Sequence, residues 1–227
     1  LIIPVLAVGA SLWAQDTGFG LMNADASPLA SWPYWLKVVA TIIVLDLAIY
    51  TQHAAFHHVP VLWRLHRTHH ADDELDVTTG FRFHPIEIWF SMAIKMAVVV
   101  ALGAPVVAVV LFEVLLSALA LFNHANVAIP GPVDRVLRWF IVSPAMHRVH
   151  HSPVRDETDS NFGFNLSIWD RLFRTYRHAM RDPDAAFAIG LESHRDARMR
   201  SFRALIVDPF RSLDRSPDPR KPRKEAA

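Results

Sequence analysis

Two histidine words dominate the chemistry open to this chain. His66-Arg-Thr-His69-His70 returns 81 residues later as His147-Arg-Val-His150-His151, and a third pair, His53-Ala-Ala-Phe-His57, precedes both. On a helix, positions i, i+3 and i+4 share one face, so the imidazoles of each word can reach a common metal ion. Neutral imidazole is the commonest side-chain ligand for transition metals. With 13 His in 227 residues, chance supplies only about 0.04 HxxHH words, so a pair of them is signal rather than composition. No longer period surrounds the two copies, and the repeat is therefore chemical rather than architectural.

Eight His are more than one zinc needs, since a structural site takes about four ligands and a catalytic site about three. The words imply two metals. No Glu-x-x-His occurs, so the cluster is ligated chiefly by imidazole rather than bridged by carboxylates. HExxH is also missing, which removes the zinc-protease reading. The absence of Cys excludes thiolate zinc fingers, Fe–S clusters, a Cys nucleophile and disulfides. Without GxSxG, P-loop or GxGxxG words, serine-hydrolase, ATPase and dinucleotide-binding readings have no support.

The elements that must position these words are apolar. Trp32 to Tyr50 is long enough to span or nearly span a bilayer, and its aromatic start suits the interface. Ile86 to Phe122 is a 37-residue apolar run broken at Gly103-Ala104-Pro105. That break predicts two helices in a tight hairpin. Each arm would be about 25 Å long, the low end for crossing. Leu1 to Ala14 reads as the cut end of a membrane helix rather than a signal peptide. A buried hairpin in a soluble protein is the alternative, but three apolar segments followed by a polar remainder favour the membrane. The expected fold is an all-α integral membrane bundle of three to four spans or half-hairpins with a cytoplasmic helical cap holding the site. Residues 1–210 would form one domain with a histidine core at 46–176, and 211–227 a disordered basic tail. From Arg171 onward, 14 Lys or Arg face 8 Asp or Glu, which by the positive-inside rule puts that region in the cytoplasm. The tail lacks interleaved aromatics, so nucleic acid is not an expected partner.

Asp46, Tyr50, His53 and His57 follow one another at spacings of 4, 3 and 4, a single helix stripe. An acid in an apolar run is expensive and usually functional. Either Asp46 or Tyr50 hydrogen-bonds a ligand imidazole and fixes its tautomer, or Asp46 pairs with Lys95. Asn161 would orient the loop after the last His word. Ser167-x-x-Asp170 reads as a helix N-cap. Trp63, Trp139 and Trp169 read as interfacial or core aromatics, and His58, His178 and His194 as solvated imidazoles.

Several stretches together resemble one family. They are Asp46-x-x-x-Tyr50-x-x-His53-x-x-x-His57, Trp63-x-x-His66-x-x-His69-His70, Arg82-Phe-His84-Pro85, Phe122-Asn-His124-Ala-Asn126, Ser143-Pro-Ala-Met-His147-Arg-Val-His150-His151, and Asp159-Ser-Asn161-Phe-Gly163 through Tyr176. The chain resembles the fatty acid hydroxylase or sterol desaturase superfamily of integral membrane di-iron oxygenases over all but about its first and last 45 residues. The resemblance implies that His53, His57, His66, His69, His70, His147, His150 and His151 bind two iron ions, with O2 as co-substrate. It adds His124 as a ninth ligand, with Asn126 where some members carry a further His, and His84 as a ligand or a donor behind one. It implies hydroxylation or desaturation of a lipid C–H bond in a sterol, fatty acyl chain, ether lipid or carotenoid. Since the chain has no flavin or nicotinamide fingerprint, its electrons would come from a ferredoxin or cytochrome b5-like donor with a reductase. Two other readings remain. A non-catalytic metal-binding or transport protein would need ligands along its spans, and a membrane zinc hydrolase would leave five or more His unexplained.

Overall fold

The computed structural model describes residues 2–182, 189–195 and 201–211. The helices are α1 Ile2–Asp16, α2 Tyr34–His58, α3 Pro60–His70, α4 Pro85–Leu102, α5 Val106–His124, α6 Gly131–Leu137, α7 Pro144–His150, α8 Arg155–Thr158, α9 Ile168–Leu172 and α10 Phe202–Val207. Among the described residues there is no strand, only a bridge between Ile141 and Leu166. The expected disordered tail falls almost wholly on 212–227, outside the described residues. Arg211, at its start, accepts a hydrogen bond on its carbonyl from Arg64.

Helices α2, α4 and α5 have 25, 18 and 19 residues and are apolar enough to cross a membrane. Their lengths are about 27 to 37 Å. Leu45, Ile49, Met92, Val99, Val109 and Phe112 pack between them, while Val39, Ile43, Trp89, Val110, Val114 and Leu115 face outward. Outward apolar side chains on all three helices suit lipid rather than water. Exposed Trp32, Tyr34 and Trp35 mark the far end of α2, as an interfacial anchor requires.

The hairpin breaks where the sequence places it. Gly103 follows α4 at φ 64, a left-handed cap that a side chain would strain. Pro105 then precedes α5 in extended geometry. A Cβ on Gly20 would lie 2.2 Å from the Gly103 nitrogen, so two glycines let the 17–27 loop sit directly on the turn. The fifteen-residue α1 packs against the same turn, with Ser11 and Gln15 donating to the Ala104 carbonyl at 2.6 and 3.0 Å.

Three expectations are corrected here. Asp46 reaches neither an imidazole nor Lys95: it accepts from Trp169 Nε1 at 2.8 Å and from the Leu166 amide at 3.2 Å. The 160–176 loop folds back along α2 and brings these donors to its midpoint, while Lys95 pairs with Glu113 across the α4–α5 seam at 2.5 Å. Tyr50 bonds Thr175 Oγ1 at 2.8 Å and stacks on Phe173. It too touches no ligand imidazole directly. Ser167 stands at the N-cap position of α9 but makes no side-chain cap bond: its hydroxyl donates to the Arg138 carbonyl. Asp170 instead accepts from the Phe162 and Gly163 amides and from Thr175 Oγ1, at 2.7, 2.9 and 2.7 Å. Burial pushes its carboxyl up to about 6 in spite of these bonds.

Candidate metal centre

Helix α2 carries His53 and His57 to one end of the bundle. Val59 is extended and Pro60 starts α3, so the chain turns and presents His66, His69 and His70 over the same end. His124 is the last residue of α5, and α7 brings His147 and His150 with His151 as its cap. All nine are buried. They fall into two groups, His53, His57, His66, His70 and His150 in one and His69, His124, His147 and His151 in the other. Within each group, one ring nitrogen of every member lies within 4.8 Å of the others. Each HxxHH word is split between them. His66 and His70 join one group and His69 the other, while the second word does the reverse, with His147 and His151 opposite His150. The repeat is thus two crossed clamps.

Ring nitrogens approach one another as ligands of a common ion do. The Nε2 pairs His53–His66, His69–His124, His124–His147 and His147–His151 are 3.1, 3.2, 3.0 and 3.2 Å apart. Nitrogens held about 2.1 Å from one centre at right or tetrahedral angles stand roughly 3.0–3.4 Å apart. Hydrogen bonds at the far side of the rings set the tautomer. His53 Nδ1 donates to the Phe162 carbonyl, His150 Nδ1 to Ser160 and His124 Nδ1 to Ala120, at 2.8, 2.8 and 2.7 Å. His66 Nδ1 meets Glu87 Oε1 at 2.6 Å and His57 Nδ1 meets Asp159 Oδ1 at 3.2 Å. In each ring the Nε2 lone pair is left for the centre. Seven further ring nitrogens are buried with no hydrogen-bond partner: His57 Nε2, His69 Nδ1, both of His70, His147 Nδ1, His150 Nε2 and His151 Nδ1. Of these, His57 Nε2, His150 Nε2 and one nitrogen of His70 are lone pairs with no donor to accept from, and metal is the ligand that such imidazole lone pairs fit. Burial holds His69, His70, His147 and His151 far below the usual imidazole range and His150 down at about 3. The rings stay neutral and able to ligate.

The remaining site expectations divide. Asn161, at φ 52, donates to the Met146 and Arg177 carbonyls and accepts from the Arg177 amide, fixing the loop whose carbonyls hold His53 and His150. His84 joins neither group. Its Nδ1 caps α4 by accepting from the Ile86 amide and its Nε2 lies 3.2 Å from the Ile206 carbonyl, so both nitrogens are committed elsewhere. Asn126 is exposed and accepts from Arg148. His58 and His178 are exposed as expected, but His194 is buried against Asp208, which also takes Arg67 Nε at 2.7 Å. Arg67, inside the first word, thereby ties the segment before and after α10 over α3. Sequence reasoning missed Glu87, Asp159 and the Ser160 and Phe162 carbonyls. Glu87 lies three residues after His84 and was legible only as a helix-start acid. Trp63 is a wall of the site, its ring 4.9 Å from His57 and 5.4 Å from His70, with the Arg155 guanidinium over the ring at 4.6 Å.

A cavity of about 160 Å³ opens beside both groups toward the bundle interior, where Phe56, Phe83, Leu116 and Phe164 meet His66 and His69. Crossing-length apolar helices that converge nine buried imidazoles beside an apolar cavity define an integral membrane protein with a histidine-rich metal site. Residues 38–175 match the fatty acid hydroxylase family model, and the chain belongs to that family.

Among curated relatives, ornithine lipid hydroxylase OlsE of Rhizobium tropici is 31% identical over 180 residues, 79% of this chain and 52% of its own. Alkylglycerol monooxygenase of Xenopus tropicalis is 32% identical over 64% of this chain and 30% of its own. Lathosterol oxidase of Mus musculus is 27% identical over 63% and 46% respectively. The chain thus spans about a third to a half of the length of the relatives it matches. No solved structure matches it.

Proposed function

We propose that this chain is a membrane oxygenase that hydroxylates or desaturates a C–H bond of a lipid at the expense of O2, using two irons held by the two histidine groups. The observation that carries this is the pair of imidazole groups opening side by side onto a cavity at the end of lipid-facing helices. The relatives' names, a hydroxylase, a monooxygenase and an oxidase, support the reaction class. Bound iron would supply O2 reduction and the power to break the C–H bond. The chain's own residues do the rest. His53, His57, His66, His70 and His150 would hold one ion and His69, His124, His147 and His151 the other. Glu87, Asp159 and the loop carbonyls keep the rings oriented, and Phe56, Phe83 and Phe164 keep water from the cavity. Hydroxylation takes RH, O2, two electrons and two protons to ROH and water; desaturation uses the same electrons and yields two waters. Those electrons would come from a separate ferredoxin or cytochrome b5-like donor. The basic region after Arg171 supports a cytoplasmic position for the site and the C-terminus.

The test is turnover of a membrane lipid extract by iron-loaded protein with a chemical reductant under labelled O2. A lipid gaining one labelled oxygen, or losing two hydrogens, is the expected product. Unchanged lipids with the iron site fully loaded would contradict the reading.

A further inference from the structure

Metal binding leaves one wall of the cavity unexplained. Glu87, Ser91 and Lys95 stand at i, i+4 and i+8 on α4, and all three line the cavity with Gln52 of α2. Glu87 Oε1 is taken by His66, with Oε2 left without a partner, and Lys95 is taken by Glu113. Gln52 and Ser91 hold only each other, with Gln52 Nε2 donating to Ser91 Oγ at 2.7 Å. Gln52 Oε1 is buried without a partner, and the Ser91 hydroxyl accepts one bond and donates none among the described residues. Turning the amide over does not remove the surplus: in either orientation the pair keeps two donor hydrogens and an acceptor oxygen to spare. An unpaired buried acceptor costs about 1–3 kcal/mol, and polar groups in crossing helices are rarely idle. Gln52 also directly precedes His53, so this spare pair sits against the metal groups rather than at a remote end.

We propose that Gln52 and Ser91 receive a hydrogen-bonding group of the lipid substrate, so that the cavity takes lipids bearing a hydroxyl or a secondary amide close to the carbon that is oxidised. This deepens the oxygenase reading and rests on it. Either group donates one hydrogen and accepts one, and so can engage the spare acceptor and a spare donor of the pair at once. The apolar side of the cavity, with Ile49, Phe56 and Leu116, then holds the hydrocarbon next to it. A purely hydrocarbon segment at this place would bury the Gln52–Ser91 pair unsatisfied, and that penalty is the basis of selection.

The experiment measures binding and turnover separately on iron-loaded protein in detergent. The probes are 1-O-hexadecylglycerol for the hydroxyl, N-methylhexadecanamide for the amide, and 1-O-hexadecyl-2,3-dimethoxypropane, which can only accept. Half-saturation is read from the rise in Tm. The expected result is that one or both donor-bearing probes bind about 5- to 10-fold tighter than the dimethoxy probe, and that Gln52→Met or Ser91→Ala each removes most of that difference. Which donor probe responds identifies the group. Equal binding of all three probes, or a preference that survives both variants, overturns the inference. If turnover of a lipid extract persists in that case, the oxygenase reading stands without it. Selective binding abolished by the variants, with no turnover by the loaded wild type, would leave the pocket's chemistry in place and overturn the oxygenase reading instead. The near-isosteric Gln52→Met and the small Ser91→Ala are independent, so misfolding of one leaves the other to decide.

Discussion

His66 and His69 are three positions apart, share one helix face, and serve different groups. What lies behind the two rings differs: His66 Nδ1 has a partner and His69 Nδ1 has none. Glu87 takes the His66 Nδ1 hydrogen at 2.6 Å in a buried setting, so Glu87→Leu leaves that N–H unsatisfied and the ring free to turn. Metal affinity should fall about 10- to 100-fold, as it does when groups behind a ligand are lost, with Glu87→Gln retaining most of it because an amide oxygen still accepts. Competition with a graded chelator measures this, and unchanged affinity in Glu87→Leu would show that the carboxylate does not orient the ring. The titration of the rings gives a second expectation. His69, His70, His147, His150 and His151 bind protons less readily folded than unfolded, with His150 at about 3 against 6.5. Each therefore subtracts stability as pH falls below 6.5. Asp170, at about 6 folded against 3.8, and Asp159, also raised by burial, work in the opposite direction, but they are two groups against five. Metal-free protein should lose Tm steadily between pH 7 and pH 5, whereas a flat profile would mean that the rings are not buried as described. Eight of the converging imidazoles were legible in the sequence because their spacing is local, His124 only through the family resemblance, and His84 was grouped with them although it joins neither group. The partners behind the imidazoles were not legible: His57 and Asp159 are 102 residues apart, and the Phe162 and Ser160 carbonyls carry no side-chain signature.

At the scale of elements, the hairpin could be read because a glycine and a proline, Gly103 and Pro105, punctuate an apolar run two positions apart. The fate of Asp46 could not be, because its partner Trp169 is 123 residues away. The loop that supplies it reaches down beside α2 to about its midpoint. Around α6 and α9, Val133, Val136, Trp139, Phe140, Leu172 and Phe173 are exposed, and Arg171 stacks between Trp139 and Tyr176 at 4.3 and 4.0 Å. Exposed apolar side chains with an arginine among them, level with a crossing helix, belong in the headgroup and upper acyl layer. The chain has no Cys, so single-cysteine variants label cleanly. A polarity-sensitive dye on Trp139→Cys or Leu172→Cys in proteoliposomes should be quenched by nitroxide lipids and shielded from iodide, with Glu192→Cys the reverse. Iodide quenching at all three positions would place this ledge in water.

At the scale of the whole molecule, the apolar first half and the charged second half do different work. Three crossing-length helices bring His53, His57 and His124 to one end, and the polar half closes over them with α7, the 159–163 loop and the Arg67–Asp208–His194 contact. The burial of His194 escaped the sequence because an isolated histidine in a polar stretch reads as solvated unless its partners are known. The whole arrangement serves one claim, that nine imidazoles hold two irons close enough to act together. Mössbauer spectroscopy with metal quantitation, on protein grown with labelled iron, tests it most directly beside His150→Ala and His84→Ala. The account predicts two irons per chain as an antiferromagnetically coupled pair, lost in His150→Ala and intact in His84→Ala. A single uncoupled metal in the wild type, or a coupled pair indifferent to His150, would contradict it.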